Sequence, residues 1–311
     1  MKILCLGAGA IGGYFCGRLV EAHAAEVTFL VRPARKAKLQ AEGLRIESPA
    51  GNARLDVVAK TREEITAPAD VVVLTCKAYD LDEAIAAIRP AVGPRTAVLP
   101  LLNGISHIDR LKQEFGADCV VGGVARIAIT LTGDGVIKHL NDWTFITFGE
   151  LDGRTSERMT ALAAAFAKAP AVKATAVNDI MAQLWDKLVF LSTMAGITSL
   201  MRASVGEIAR AEGGSATAHE LLATAAEVAA RAGYPVPAEK LAGYRAYFQD
   251  TKNPTGASML RDIENGQRTE GDHIIGFLRR EAERHGLDTR LLSVIDTHLK
   301  VYEERRKAGR A

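Results

Sequence analysis

The chain has 311 residues, about twice the usual length of one domain, so we expect two domains that each bury a core. Its composition, 48% hydrophobic and 24% charged, is typical of a globular protein and excludes disordered and fibrous classes. The 39 basic and 37 acidic residues leave a net charge of +2. This balance predicts small-molecule partners, with no nucleic acid and no membrane among them.

The four cysteines are few and widely spaced, at Cys5, Cys16, Cys76 and Cys119. Such spacing does not form a disulfide framework, and none of the four has a partner at zinc-binding spacing. The sequence therefore predicts a reduced, cytoplasmic protein without a metal site.

The first half of the chain alternates short apolar runs with stretches of helical periodicity, which is typical of βαβ units around a parallel sheet. The predicted strands cover residues 2–6, 27–31, 71–76, 97–101 and 119–121, and the predicted helices cover residues 11–22 and 81–88. Residues 136–139 and 145–148 alternate in polarity, which predicts an antiparallel, hairpin-like addition to the sheet.

The second half is helical in pattern. A short strand is predicted at residues 172–176, and helices at residues 157–168, 179–193, 216–232, 237–249, 258–265, 269–285 and 291–305. We therefore predict an α/β fold with a doubly wound, Rossmann-type domain over residues 1–176. A helical domain is predicted over residues 177–311.

A glycine-rich loop follows the first predicted strand and matches the pattern G-x-G-x-x-G: Gly7, Ala8, Gly9, Ala10, Ile11 and Gly12. In this pattern the first glycine permits a tight turn, the second lets the backbone approach a pyrophosphate, and the third allows close packing of helix on strand. The helix N-terminus that follows stabilises the anion. Because strand, loop and helix occur in order, the loop predicts a dinucleotide site.

The residues after the second predicted strand indicate which dinucleotide is bound. NAD sites usually carry a carboxylate there, whereas NADP sites supply positive charge to the extra phosphate. Here the strand is followed by Arg32, with Arg35 and Lys36 close behind. This favours NADP with Arg32 as the phosphate contact, although an exposed basic turn would show the same residues. We therefore predict that residues 1–176 form the NADP-binding domain and residues 177–311 the substrate and catalytic domain.

Polar residues follow two further predicted strands: Lys77 after residues 71–76 and Asn103-Gly104 after residues 97–101. Ligands of open parallel sheets lie beyond the carboxyl ends of the strands, so Lys77 and Asn103 are candidates for the nicotinamide end of the site. The Asn-Gly dipeptide is equally typical of a simple turn.

The helical half adds Lys187 in an apolar stretch, Ser258 and Asp262 four residues apart on one helix face, and Glu270 after Thr269. Each also has a structural interpretation. Lys187 could extend its stem over apolar surface toward water, and the others could form helix caps or surface pairs.

Taken together, these motifs resemble a known family over almost the whole chain. They are the glycine loop, Arg32, Cys76-Lys77, Leu102-Asn103-Gly104, Trp185-x-Lys187-Leu188, Ser258-Met259-Leu260-x-Asp262 and Thr269-Glu270. Their order is similar to that of ketopantoate reductase (2-dehydropantoate 2-reductase). The resemblance implies a C-terminal domain like that of 6-phosphogluconate dehydrogenase. It also implies NADPH-linked reduction of a 2-keto acid, ketopantoate to pantoate in pantothenate biosynthesis, in a cleft between the domains.

The resemblance also implies residue roles. Lys187 would be the general acid, Asn103 would touch cofactor and substrate, and Ser258 would hold the substrate. Glu270 would bind cofactor and support the site, and Lys77 would lie near the nicotinamide. An ammonium suits the acid role because it can stabilise and then protonate the oxygen of a ketone that receives hydride.

The sequence departs from the family pattern at three positions where asparagines are expected to face the substrate: Leu191, Ala195 and Val205. Losing their amides removes polar recognition of a hydroxylated keto acid. Three functions therefore stay open: ketopantoate reduction, action of a related enzyme on a different, more apolar substrate, and NADP sensing without catalysis. The apolar helical half also predicts a possible homodimer surface.

Overall fold

The computed structural model describes residues 1–169 and 171–310. The chain forms two compact units. The N-terminal unit contains Met1–Leu102 and His107–Met181, and the C-terminal unit contains Asn103–Ser106 and Ala182–Ala311. The assignment of cofactor and substrate roles to residues 1–176 and 177–311 stays a prediction.

The strands all belong to the N-terminal unit. In chain order they are β1 Lys2–Leu6, β2 Glu26–Leu30, β3 Leu44–Glu47, β4 Ala53–Leu55, β5 Val58–Lys60, β6 Val71–Leu74, β7 Ala97–Pro100, β8 Val121–Arg126, β9 Ile129–Leu131, β10 Val136–His139, β11 Phe145–Glu150 and β12 Lys173–Ala176.

The first sheet is parallel throughout, with the strand order β5-β2-β1-β6-β7. Counted along the chain, this is the 3-2-1-4-5 order of a Rossmann-type sheet. Every residue of β6 and β7 is buried, as expected for central strands covered on both faces. The predicted α/β fold with an N-terminal Rossmann-type sheet and a helical C-terminal part is confirmed.

Two smaller sheets complete the unit, with the orders β4-β3-β10-β9 and β12-β11-β8. They show that the predicted hairpin of residues 136–139 and 145–148 is wrong. β10 pairs with β3 and β9, whereas β11 pairs with β8 and β12. Alternation along the chain indicates which face of a strand is buried, but partner strands are chosen by distant residues.

The helices are α1 Ala10–Glu21, α2 Pro33–Glu42, α3 Leu81–Ile88, α4 His107–Phe115, α5 Glu157–Ala167, α6 Ile180–Met201, α7 Val205–Arg210, α8 Gly214–Arg231, α9 Ala238–Gln249, α10 Ser258–Glu264, α11 Phe277–Arg284 and α12 Arg290–Lys307. A π-helical turn, Asp272–Gly276, leads directly into α11. Among the described residues, no helix combines the length and apolar character needed to cross a membrane.

The helix α6 continues for eight residues beyond its predicted end at residue 193, because buried polar residues hide its periodicity. Residues 192–199 are all buried, including Ser192, Thr193 and Thr198. Their hydroxyls donate to carbonyl oxygens three or four residues earlier on the same helix, at 2.7–3.3 Å. These local bonds satisfy the hydroxyls in the core of the C-terminal unit.

Candidate active site

The glycine loop connects β1 to α1 in the N-terminal unit. Gly7 has a φ of +86°, a left-handed conformation that favours glycine. Its N–H donates to the carbonyl of Leu30, the last residue of β2, at 2.8 Å. The turn is therefore fixed against the neighbouring strand, and it aims the N-terminus of α1 beyond the carboxyl edge of the sheet.

The second and third glycines differ in what surrounds them. A Cβ on Gly9 would meet no atom within 4 Å, whereas a Cβ on Gly12 would lie 2.6 Å from Thr75 Oγ1 and 2.7 Å from Cys5 Sγ. Gly12 thus permits close packing of α1 on the strands. Gly9 leaves open space at the helix N-terminus, where a phosphate group can approach the backbone.

A pocket of about 510 Å³ opens against this loop within the N-terminal unit. The pocket wall includes Gly9, Arg32, Arg35 and Thr75. Pro33 occupies the first turn of α2, where its fixed φ suits a helix start, and this leaves Arg32 at the tip of β2. The loop and Arg32, which were predicted to act together, line one pocket.

Arg32 is an exposed cation of this pocket. Its guanidinium lies 3.3 Å from Glu83 Oε1, and 80% of its side chain is exposed. An ion pair in this setting contributes little, roughly 0–1 kcal/mol. Arg32 can therefore leave Glu83 at small cost.

Arg35 has a different position, which the sequence analysis did not assign. Its Nη2 donates to the carbonyl of Ala8 in the glycine loop at 3.0 Å and reaches the carbonyl of Gly135 at 3.5 Å. Burial lowers the pKa of Arg35 below its ordinary value, and its Nε has no hydrogen-bond partner among the described residues. Arg35 thus stabilises the glycine loop through the Ala8 carbonyl. The available sequence signal was its position in the first turn of α2.

Lys77 follows β6 and is half-buried at the start of a short 3₁₀ turn, Ala78–Asp80. Just before it, Thr75 Oγ1 donates to the carbonyl of Leu6 at 3.0 Å. That bond ties the end of β6 to the end of β1, the strand that enters the glycine loop. Lys77 is therefore held at the carboxyl edge of the sheet, where the sequence placed it.

In the C-terminal unit, Asn103 and Glu270 lie together although 167 residues separate them. Asn103 Nδ2 donates to Glu270 Oε2 at 3.5 Å. Glu270 is buried, and the preceding Thr269 is fixed because its N–H and hydroxyl both donate to Glu303 Oε1, at 2.7 and 2.9 Å. The backbone that follows Asn103 packs closely on the backbone that follows Glu270. Gly104 has a φ of +80°, and a Cβ there would lie 3.0 Å from the carbonyl oxygen of His273.

Glu270 lies two residues before the π-helical turn Asp272–Gly276. π-Helical turns inside helices occur frequently at functional sites. The sequence pattern predicted a regular helix over residues 269–285, and it held no signal for this turn.

Lys187 lies on α6 and is half-buried. Its neighbour Asp186 is buried and accepts hydrogen bonds from Tyr244 Oη at 2.7 Å and Lys240 Nζ at 2.9 Å. These contacts attach α9 to α6 and fix the turn that carries Lys187. The sequence analysis did not identify this network.

Ser258 is the first residue of α10 and is exposed. The N–H of Ala257, just before it, donates to Thr198 Oγ1 of α6 at 3.4 Å. The start of α10 is thereby attached to the helix that carries Lys187. Among the described residues, no group of acidic, histidine or cysteine side chains could hold a metal ion.

Two family models match the chain along most of its length. Residues 3–153 match the model described as ketopantoate reductase PanE/ApbA, and residues 179–303 match the model of the C-terminal part of that enzyme. The chain belongs to the ketopantoate reductase family. The resemblance predicted from the motifs is confirmed, and the protein is an oxidoreductase of this family.

Individual relatives of this family member align over nearly full length. The uncharacterized oxidoreductase YkpB of Bacillus subtilis is 37% identical over 306 residues, which cover 97% of this chain and 99% of the relative. A 2-dehydropantoate 2-reductase of Archaeoglobus fulgidus is 30% identical over 288 residues, 92% of each chain. The crystal structure of a PanE/ApbA family ketopantoate reductase from Ralstonia eutropha superposes with a TM-score of 0.88 at 25% identity, covering 99% of this chain and all of the other.

The three positions where this family member lacks the expected asparagines have different environments. Ala195 and Val205 are each only 1% exposed and belong to the core of the C-terminal unit. Leu191 is partly exposed, one helical turn after Lys187. Of the three substitutions, the one at Leu191 therefore changes accessible surface.

Proposed function

We propose that this oxidoreductase reduces a 2-keto acid to the 2-hydroxy acid, with NADPH as hydride donor and Lys187 as proton donor. Ketopantoate, which gives pantoate in pantothenate biosynthesis, is the reference substrate. A cytoplasmic location and a homodimer are further parts of this proposal. The chain's family and its full-length relatives support the reaction class, and the residues of the two units support the roles below.

The N-terminal unit fits a nicotinamide dinucleotide. The open space at Gly9 admits a pyrophosphate to the N-terminus of α1, where the first N–H groups of a helix lack intrahelical partners. The cofactor contacts proposed here are the loop residues Gly7, Ala8, Gly9, Ala10, Ile11 and Gly12, together with Arg32, Lys77, Asn103 and Glu270. Arg32 would hold the extra phosphate that distinguishes NADP from NAD.

NADPH, held by the glycine loop and Arg32, would supply the hydride for the new C–H bond and would be oxidised to NADP⁺. Lys187 stabilises the negative charge that develops on the ketone oxygen and then transfers its proton to that oxygen. The product is an alcohol, and water restores the proton on Lys187. Ser258 and Asn103 would hold the substrate for this transfer.

The observation that carries this proposal is the contact between Asn103 and Glu270. A turn residue or a helix cap needs no partner 167 positions away, yet the Asn103 amide reaches a buried carboxylate in the unit that carries Lys187. Glu270 can orient the amide so that its oxygen and remaining N–H are presented to cofactor and substrate. Binding of NADP alone, as in a sensor, gives no reason for this contact in the same unit as Lys187.

The test is a steady-state assay of NADPH oxidation with ketopantoate and other 2-keto acids. A general acid typically contributes about 10²- to 10⁴-fold, so Lys187→Ala should lower turnover by that factor while retaining NADPH affinity. Lys307→Ala changes an exposed lysine at the end of α12 and should keep the parent rate. Turnover by Lys187→Ala at the parent rate would remove the acid role. NADPH binding without turnover of any keto acid would favour a sensor.

A further inference from the structure

The accessible face of α6 contains one cation followed by apolar side chains. This face is formed by the partly exposed residues Gln183, Lys187, Phe190 and Leu191. The last three follow Gln183 by four, seven and eight residues, which places all four on one side of the helix. Residues 192–199 that follow are buried. A group that approaches Lys187 from the C-terminal end of this face therefore contacts Phe190 and Leu191 within one helical turn, whereas Gln183 lies one turn to the other side.

Phe190 is part of an aromatic cluster formed with α9. Its ring centroid lies 4.9 Å from that of Tyr244, 5.1 Å from Tyr247 and 5.5 Å from Phe248. Phe248 is buried, whereas the other three rings are partly exposed. Rings at these distances pack edge-on or tilted and form a rigid apolar wall.

One polar group of this wall, the Tyr244 hydroxyl, already has a hydrogen-bond partner on α6. The Tyr244 hydroxyl donates to the buried carboxylate of Asp186 at 2.7 Å, and Lys240 binds the other carboxylate oxygen at 2.9 Å. Tyr244 is therefore fixed with its hydroxyl toward Asp186. Leu191 adds no hydrogen-bonding group at the position one turn after Lys187.

We propose that the preferred substrate is a 2-keto acid whose substituent is apolar, either aromatic or branched alkyl, and carries no hydroxyl group. This inference rests on the proposed function, because it takes Lys187 as the group that meets the ketone oxygen. The substituent then packs on Phe190 and Leu191, against the wall of Tyr244 and Tyr247. A hydroxyl packed on Phe190 or Leu191 loses its bonds to water and gains no partner from either side chain.

The decisive comparison uses ketopantoate and 3,3-dimethyl-2-oxobutanoate, which differ by one hydroxyl group, with phenylglyoxylate as an aromatic probe. We expect kcat/KM with NADPH to be higher for both apolar acids than for ketopantoate, by roughly 10- to 100-fold, the range over which an apolar pocket discriminates against an added hydroxyl. A higher kcat/KM for ketopantoate overturns the inference and leaves the proposed function intact. Absence of turnover with all three acids, using NADPH or NADH, overturns both.

A variant pair identifies the side chain responsible. Leu191→Asn adds an amide one turn after Lys187 and should shift the kcat/KM ratio toward ketopantoate by roughly five- to tenfold, the effect of one added hydrogen bond. Val294→Asn makes a similar change at a residue of α12 that is 57% exposed, and it should leave the ratio and both rates unchanged. An unchanged ratio in a folded Leu191→Asn protein would show that Leu191 does not contact the substituent. If Leu191→Asn does not fold, the substrate comparison on the unmodified protein still decides.

Discussion

Gly9→Ala and Gly12→Ala add the same methyl group three residues apart in the glycine loop, and we expect them to affect different properties. At Gly12 the added Cβ would lie 2.6 Å from Thr75 Oγ1, 2.7 Å from Cys5 Sγ and 3.0 Å from the Gly7 carbonyl oxygen. At Gly9 it would meet nothing within 4 Å. Gly12→Ala should therefore reduce stability, and Gly9→Ala should reduce cofactor affinity.

The magnitude for Gly12→Ala follows from two opposing contributions. Alanine in a helix interior is favoured over glycine by about 1 kcal/mol, whereas overpacking a core costs about 1–3 kcal/mol. Three contacts at 3.0 Å or less, one of them with a backbone oxygen, place the cost near the upper limit. The free energy of unfolding should therefore fall by about 2 kcal/mol, which corresponds to a Tm lower by roughly 4–8 °C.

Gly9→Ala should leave the fold intact, because Gly9 has a φ of −84° and a ψ of −167°, an extended conformation open to alanine. Its methyl group occupies the space proposed for the pyrophosphate. Loss of one charge-assisted hydrogen bond to phosphate costs about 1.5–3 kcal/mol, so the Kd for NADPH should rise roughly 10- to 150-fold.

Thermal unfolding followed by circular dichroism and NADPH titration followed by fluorescence measure the two effects on both variants. A Gly12→Ala protein with the parent Tm would show that α1 does not pack on the strands as described. A Gly9→Ala protein with the parent Kd would move the pyrophosphate away from the loop.

Two further predictions concern charged groups of the N-terminal unit. Arg32→Ala should weaken NADPH far more than NADH, whereas Arg35→Ala, which removes the bond to the Ala8 carbonyl, should weaken both in the same titration; equal effects of Arg32→Ala on the two cofactors would contradict the phosphate role. Burial alone would raise the pKa of Glu150, but the Arg158 guanidinium at 2.6 Å holds that pKa below its ordinary value. The ion pair therefore stabilises the fold above about pH 4.3, and its contribution is lost as the pH falls. Glu150→Gln should lower the free energy of unfolding at pH 7 by about 1–3 kcal/mol and flatten its decline between pH 5 and 3 in urea titrations, and a decline as steep as that of the parent would refute the assignment.

Local patterns in the sequence predicted the parts of the fold that depend on local interactions. β1 and the start of α1 agree with prediction to within one residue, because Gly7 and Gly12 impose a turn and a close packing distance that few other sequences meet. The extent of α6 and the partners of β10 and β11 were missed. The extent of α6 was missed because its buried hydroxyls, which bond to carbonyls of the same helix, hide its periodicity. The strand partners were missed because distant residues choose them, and alternation of polarity does not encode that choice.

The candidate site also contains residues whose positions local sequence predicts and a contact that it does not predict. Arg32 was accessible to prediction because a strand end and a helix-starting Pro33 fix its position. The contact of Asn103 with Glu270 was not, because spacing along the chain carries no information about a pair 167 residues apart. Asn103 was a candidate because it follows a predicted strand, and Glu270 was a candidate carboxylate of the helical half. The roles of both came from the family resemblance, and those roles stay predictions.

The proposed phosphate site, like the whole chain, has a nearly balanced charge. The pocket at the loop is lined by arginines, Arg32, Arg35 and Arg62, and by carboxylates, Glu63, Asp80 and Glu83, so its own charge is nearly balanced. Selectivity for NADPH then depends on an exchange in which Arg32 leaves Glu83 and binds phosphate. The exposed ion pair is worth roughly 0–1 kcal/mol, while a charge-assisted bond to phosphate is worth about 1.5–3 kcal/mol. The exchange favours the phosphate, and because the competing carboxylate stays nearby, the preference for NADPH over NADH should be moderate and should decrease with added salt.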